Sequence, residues 1–307
     1  MAVTALHTRT LGISRTQPTV LIKRYVVLTK PRITALITFT ALVGMFLAAA
    51  TVPPWPALLW GSLGIALTCA CAATLNQILE CARDARMART RARPLPRGQV
   101  SKRNALLFAC VIGVAGLVIL LFCVNALTAV LTFVTLIGYG VIYTVWLKPA
   151  TPQNIVLGGI AGATPPVLGW AAVTNEVALP AMLLALIIFL WTPPHFWALA
   201  IARREDYARA GVPMLPVTHG VDYTRRQILR YTVLLVLATL LPFATHTSGV
   251  VYLLCALALD ALFLAHAWRL SRGGGDAEAM RTFRFSVKYL MWLFAALLID
   301  HHLMLPK

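Results

Sequence analysis

The chain has 307 residues, 59% of them hydrophobic and only 12% charged, with a formal net charge of +17 and a mean hydropathy of +0.78. These values exclude a soluble globular domain and describe an all-α integral membrane protein.

Residues 1–32 are expected to form a basic cytoplasmic tail. Its first 30 residues hold no acid, as in organellar transit peptides, but a short bacterial cytoplasmic tail is the simpler reading. Stretches of roughly 20 apolar residues, enough to cross about 30 Å of hydrocarbon, then recur along the chain. Nine transmembrane helices are predicted, at about 33–52, 57–79, 105–124, 126–147, 154–174, 179–200, 229–247, 249–268 and 286–303. No soluble domain interrupts them, so residues 33–303 read as one transmembrane domain.

Charge sets the expected orientation. Of the 27 Lys and Arg residues, 26 fall on alternate loops and only Lys307 lies opposite, which places the N-terminus in the cytoplasm and the C-terminus outside. The basic excess is therefore partly topological, with scope to steer an anionic substrate, and need not mean nucleic acid. Six cysteines at span interiors and ends form no CxxC pair and read as packing residues.

The segment between spans two and three, "NQILECARDARMARTRARPLP", carries the densest polar chemistry. Asn76, Glu80 and Asp84 are spaced by four, so on a helix they form one stripe about 12 Å long. Amide and carboxylate oxygens so spaced suit Mg²⁺, which leaves positions for water and substrate phosphate. The same spacing also suits a solvated helix end paired to neighbouring arginines. A second acidic pair, Glu205 and Asp206 in "RREDYARAGVPMLP", follows span six on the same expected membrane face. Two acid clusters set among Arg89, Arg93, Lys148, Arg203 and Arg204 would hold a metal and a diphosphate and offset charge growing on a leaving group.

These segments, with "YTVWLKPATPQNIVLGGIAGATPPVLGWAAVT" and "FLWTPPHFWALAIARREDYARAGVPMLPV", resemble the haem O synthase branch of the UbiA-type intramembrane prenyltransferases over essentially residues 20–303. Asn76, Glu80 and Asp84 match that superfamily's aspartate-rich motif. Met87, Arg89, Thr90, Arg93, Pro94, Leu95 and Pro96 match the tail that follows it. The resemblance implies transfer of a farnesyl group from farnesyl diphosphate to a vinyl group of haem b, with Mg²⁺ as cofactor. The implied ligands of Mg²⁺ are Asn76, Glu80, Asp84, Asp206 and Glu205. Arg89, Arg93, Lys148, Arg204 and Tyr143 are implied for the diphosphate, although Tyr143 also suits a membrane interface. Pro149 stands where family members commonly carry a second basic residue, which leaves Lys148 alone or supported by Arg204.

His195 follows Pro193 and Pro194 in span six. Its ring could ligate haem iron or contact a propionate, or instead satisfy carbonyls freed by the prolines. Pro165 and Pro166 likewise suit a cavity wall or a packing kink, and Gly158 with Gly162 reads as a close helix contact. Asp222 is expected to cap span seven, while Asp260, inside span eight, has no evident role. The implied setting is a bacterial inner membrane with the site on the cytoplasmic side and a downstream haem A synthase or oxidase-assembly partner. An aromatic acceptor such as a quinone or chlorophyll precursor is the nearest alternative. A multi-pass transporter is the alternative of another class, and it predicts polar sites near the bilayer midplane.

Overall fold

In the computed structural model, residues 18–304 are described, and all regular structure among them is helical. The chain begins with α1 (Pro18–Leu28) and α2 (Pro31–Leu47). A π-helical turn, Ala57–Gly61, runs into α3 (Ser62–Leu79), and the short α4 (Cys81–Asp84) follows. Next come α5 (Lys102–Cys123) and α6 (Ala126–Ile137), the latter continuing through a π-helical stretch, Gly138–Leu147, into α7 (Lys148–Ala150). After α8 (Asn154–Ala163), α9 (Pro165–Thr174) and α10 (Leu179–Ala202), two short helices, α11 (Arg204–Arg209) and α12 (Leu215–Thr218), cross the loop. The bundle closes with α13 (Val221–Ala244), α14 (Val250–Ser271) and α15 (Asp276–Met304).

Among the described residues, eight helices are long and apolar enough to cross a membrane, and there are nine if the α1–α2 pair, bent by 56°, is one span. The span count agrees with the sequence; several boundaries differ. Helix α2 stops at Leu47, five residues early, ahead of the "PPWP" turn, whose prolines lack backbone donors. Helices α13 and α15 begin before their apolar windows because charged first turns continue the same helix. Arg225 holds the α13 extension by donating to Asp222 and to the Gly274 carbonyl at the α14–α15 turn. Asp222 therefore does not cap α13: Gly220 occupies that position, and the exposed Asp222 carboxylate pairs within the first turn.

One buried cluster joins α10, α13, α14 and α15 through Leu184, Ile187, Leu235, Tyr252, Phe263, Tyr289 and Phe294. Phe122, Leu107 and Val114 on α5 point outward and exposed, as lipid-facing side chains do. Asp260 gains a structural role, accepting hydrogen bonds from Thr239 on α13 at 2.6 Å and Tyr289 on α15 at 2.5 Å. Asp300 accepts from the Tyr252 backbone N–H at 3.0 Å and from that of Gly249, so a side chain of α15 caps α14.

Span five is broken at Thr164–Pro165, between α8 and α9. The break brings α9 against α2 at backbone distance. A Cβ on Gly44 would stand 2.2 Å from the Pro166 carbonyl oxygen, and one on Gly169 would overlap the Ala41 carbonyl. Pro165 meanwhile lines the central cavity, so the proline pair serves both packing and the cavity wall.

Candidate active site at the basic end of the bundle

A cavity of about 420 Å³ opens between α2, α3, α6, α8, α10 and α15. Charged side chains surround its mouth: Lys30, Glu80, Arg83, Asp84, Arg89, Arg93 and Lys148. Its interior is formed by apolar and hydroxyl-bearing residues, among them Ile65, Thr132, Leu136, Leu168, Trp191 and Leu290. A polar mouth above a long apolar interior suits an amphiphile with an anionic head.

Helix α3 ends at Glu80, whose φ of −92° and ψ of 3° introduce a bend before α4. The i to i+4 backbone ladder nevertheless continues, with Glu80 N–H donating to Asn76 O at 3.0 Å and Asp84 N–H to Glu80 O at 2.8 Å. The expected stripe thus forms, and all three residues are at most 5% exposed. Each is paired with a cation or its neighbour. Asn76 Oδ1 accepts from Lys30 Nζ at 2.7 Å, and its amide donates to Glu80 Oε2 and Thr144 Oγ1, both at 3.2 Å. Glu80 meets Lys148 in an ion pair, with Arg83 at 3.9 Å, and Asp84 accepts from Arg93 at 2.6 Å. Thr90 Oγ1 donates to the Asp84 carbonyl at 3.0 Å, fastening the arginine-rich loop under the motif.

The π-helical stretch delivers the opposite wall. Its wider turn stacks Tyr139 on Tyr143 at 5.5 Å, lets Thr144 Oγ1 donate to Tyr139 O at 2.9 Å, and brings Lys148 to Glu80. Tyr143 fits only because Gly158 has no side chain: a Cβ there would stand 2.4 Å from the ring. Gly162 differs from the expected close contact. It lines the cavity, and nothing lies within 4 Å of where its Cβ would be.

The second acidic motif is only partly brought to the cavity. Tyr207 lines it, whereas Arg204, Glu205 and Asp206 do not. Arg204 pairs with Asp276 at the start of α15, Glu205 is exposed, and the buried Asp206 accepts from Arg209. The helical turn of α11 explains the split, since it turns Tyr207 inward and Glu205 away. Among the described residues, no group of three or more His, Cys, Asp or Glu side chains is arranged to hold a metal ion. The two motifs therefore do not converge as the sequence led us to expect. The first motif fits a hard divalent cation by its donor chemistry, and its buried Glu80 Oε1 carries no hydrogen bond beyond the lysine ion pair.

The sequence reasoning missed Lys30, Tyr139, Thr144 and Tyr207. Lys30 adopts left-handed backbone geometry (φ 49°, ψ 60°) between α1 and Pro31, which turns its side chain onto Asn76. Burial raises the Tyr207 phenol above its ordinary value against the opposing pull of Arg89, so Tyr207 remains a hydroxyl donor. A lysine beside a proline at the head of the first span was the available signal for Lys30. Only the fold reveals the others.

Below the mouth, His195 is 8% exposed and faces the cavity. It stacks on Trp191 at 4.2 Å and on Phe283 at 4.6 Å. Its Nδ1 lies 2.7 Å from Ser286 Oγ on α15. It does not serve the carbonyls freed by Pro193 and Pro194, through which α10 runs on as a helix.

The UbiA prenyltransferase family matches residues 37–295. The chain belongs to that family. Protoheme IX farnesyltransferase of Aromatoleum aromaticum is 57% identical over 98% of this chain and 99% of its own length. The enzyme of the same name from Nitrosococcus oceani is 56% identical over 93% of this chain and 95% of its own. Among solved structures, a digeranylgeranylglyceryl phosphate synthase superposes with a TM-score of 0.76 at 19% identity, covering 91% of this chain and 98% of that one. A UbiA homologue from Archaeoglobus fulgidus, solved with GPP and Mg²⁺, gives 0.59 at 16% identity, covering 89% and 99%. At those identities the structural likeness shows the fold, and the fold is the one the cavity-lined helix bundle describes.

Proposed function

We propose that this UbiA-family prenyltransferase transfers the farnesyl group of farnesyl diphosphate to a vinyl group of protohaem IX. The observation that carries the proposal is the cavity itself, with a carboxylate-and-cation mouth directly above a long apolar interior. The near full-length relatives named for that reaction support the choice of donor and acceptor.

The mouth holds its cations on its own oxygens: Lys30 on Asn76, Lys148 on Glu80 and Arg93 on Asp84. Asn76, Glu80 and Asp84 would bind Mg²⁺, which when present neutralises diphosphate charge and favours its departure. Lys30, Lys148 and Arg93 then turn to the diphosphate oxygens, joined by Arg89 from the exposed rim. Tyr207 and Tyr143 offer phenol contacts from opposite walls, Tyr143 held in place by Gly158. Arg204, Glu205 and Asp206 are assigned to shaping the α10–α11 corner, with Asp206 positioning Arg209.

The C1–O bond of farnesyl diphosphate breaks with its electron pair leaving on the diphosphate. The terminal vinyl carbon of haem supplies the electrons for the new C–C bond. Water adds at the remaining cationic carbon and loses a proton, giving a hydroxyethylfarnesyl side chain. Trp191, Tyr139 and Tyr143 line the path of the allylic cation with electron-rich rings. The positive-inside charge pattern supports a mouth on the cytoplasmic face of an inner membrane.

Acceptor competition tests the assignment. Protein in lipid nanodiscs receives farnesyl diphosphate, Mg²⁺, haem b and an equimolar hydroxybenzoate, and products are read by mass spectrometry. Farnesylated haem as the main product supports the proposal; farnesylated aromatic with haem unchanged would keep the fold and replace the acceptor.

A further inference from the structure

His195 is held by a chain of hydrogen bonds through Ser286. Ser286 Oγ donates its single proton to the Phe283 carbonyl at 2.7 Å. With that proton on the carbonyl, its lone pairs face the imidazole, an arrangement that favours Nδ1 as the donor in the 2.7 Å contact. Nε2 is then an unprotonated lone pair on a side chain that lines the cavity. The ring is held from both faces by Trp191 and Phe283, and Trp191 is itself fixed by Nε1–H donating to the Ser286 carbonyl at 2.8 Å. One residue of α15 therefore orients both His195 and Trp191.

An Nδ1–H donor satisfied by an oxygen, with Nε2 free, is the arrangement found behind metal-ligating histidines. Building on the proposed acceptor, we infer that His195 Nε2 is an axial ligand of the iron of the haem substrate and thereby orients the porphyrin under the diphosphate mouth. Nε2 donates its lone pair to iron without any change in oxidation state. A competing role, as the base that takes the proton from the water adding to the cation, is less well served. A base of that kind has to carry the proton it accepts, yet the ring partners here are a hydroxyl and the aromatic faces of Trp191, Phe196 and Phe283, with no carboxylate among them. His195 also lies seven residues from the end of α10, about 10 Å along the helix axis.

The test titrates ferric haem b into the full-length protein in nanodiscs without farnesyl diphosphate, following the Soret band and the iron spin state. Wild type is expected to give a histidine-ligated spectrum that His195→Ala loses and added imidazole restores. Ser286→Ala, which frees the tautomer but keeps the ligand, is expected to weaken haem binding about 10- to 100-fold. Metal-free protoporphyrin IX is expected to bind wild type and His195→Ala alike. Identical haem spectra for wild type and His195→Ala would overturn the inference, even where farnesylated haem is still made. Slowed product formation with an unchanged iron spectrum would point to the base role and also overturn it. A wild type that neither binds nor farnesylates haem would instead overturn the proposed acceptor.

Discussion

Lys30 and Asn76, 46 positions apart, meet at 2.7 Å, so the kink that opens the first span is tied directly to the head of the acidic stripe. The bond joins two spans across the cavity mouth and gives the family motif a cation from outside its own segment. Lys30→Met is expected to preserve the fold and to cost about 1.5–3 kcal/mol of transition-state stabilisation, the range for hydrogen bonds to charged groups. That is roughly a 10- to 100-fold fall in kcat/KM for farnesyl diphosphate. Steady-state kinetics checks it, and unaltered kcat/KM would remove Lys30 from the site.

The two acidic motifs are expected to separate cleanly. Asp84 is buried in the mouth and bound to Arg93, whereas Glu205 is exposed and off the cavity. Asp84→Ala should abolish prenyl transfer, and Glu205→Ala should keep activity within about twofold and stability within about 0.5 kcal/mol. Assays of both variants at saturating Mg²⁺ decide the matter; equal losses would restore the second pair to the metal site.

Glycines 158 and 162 make opposite forecasts one helical turn apart. Gly158→Ala drives a methyl into the Tyr143 ring and is expected to destabilise by about 1–3 kcal/mol and to impair transfer. Gly162→Ala meets open space and should be tolerated. Gly162→Leu fills part of the cavity and is expected to favour geranyl over farnesyl diphosphate in a competition assay. An unchanged preference would place the isoprenoid elsewhere.

Asp260 is expected to matter for stability alone. Asp260→Ala removes the acceptor of both Thr239 and Tyr289, and a drop of about 1–3 kcal/mol follows from leaving buried donors unpaired. Thermal unfolding in detergent should fall while kcat of the folded fraction stays near wild type. A selective loss of kcat would assign the carboxylate to a transport or catalytic path.

The spans were legible because about 20 consecutive apolar residues have few alternatives in a chain of this composition. The Asn76–Glu80–Asp84 stripe was legible for a related reason, since i to i+4 spacing survives even across the bend at Glu80. The departure of Arg204 and Glu205 was not, because proximity to a motif in sequence says nothing about which way a six-residue helix turns. Helix α11 aims Tyr207 inward and sends Arg204 to Asp276, 72 positions away. The π-helical stretch that presents Tyr139, Tyr143 and Thr144 likewise has no periodicity to read in advance. Asp260 resisted interpretation for the same reason as Lys30: both partners lie on other spans.

The central claim is that the Asn76–Glu80–Asp84 mouth drives transfer of a farnesyl group to haem. The most direct measurement is the mass of haem extracted after incubating the protein with haem b and farnesyl diphosphate, with Mg²⁺ or with chelator, beside Asp84→Ala. The account predicts hydroxyethylfarnesyl haem from wild type with Mg²⁺ only, and none from the variant. Unmodified haem from folded wild-type protein with Mg²⁺ present, or the same product from Asp84→Ala, would contradict it.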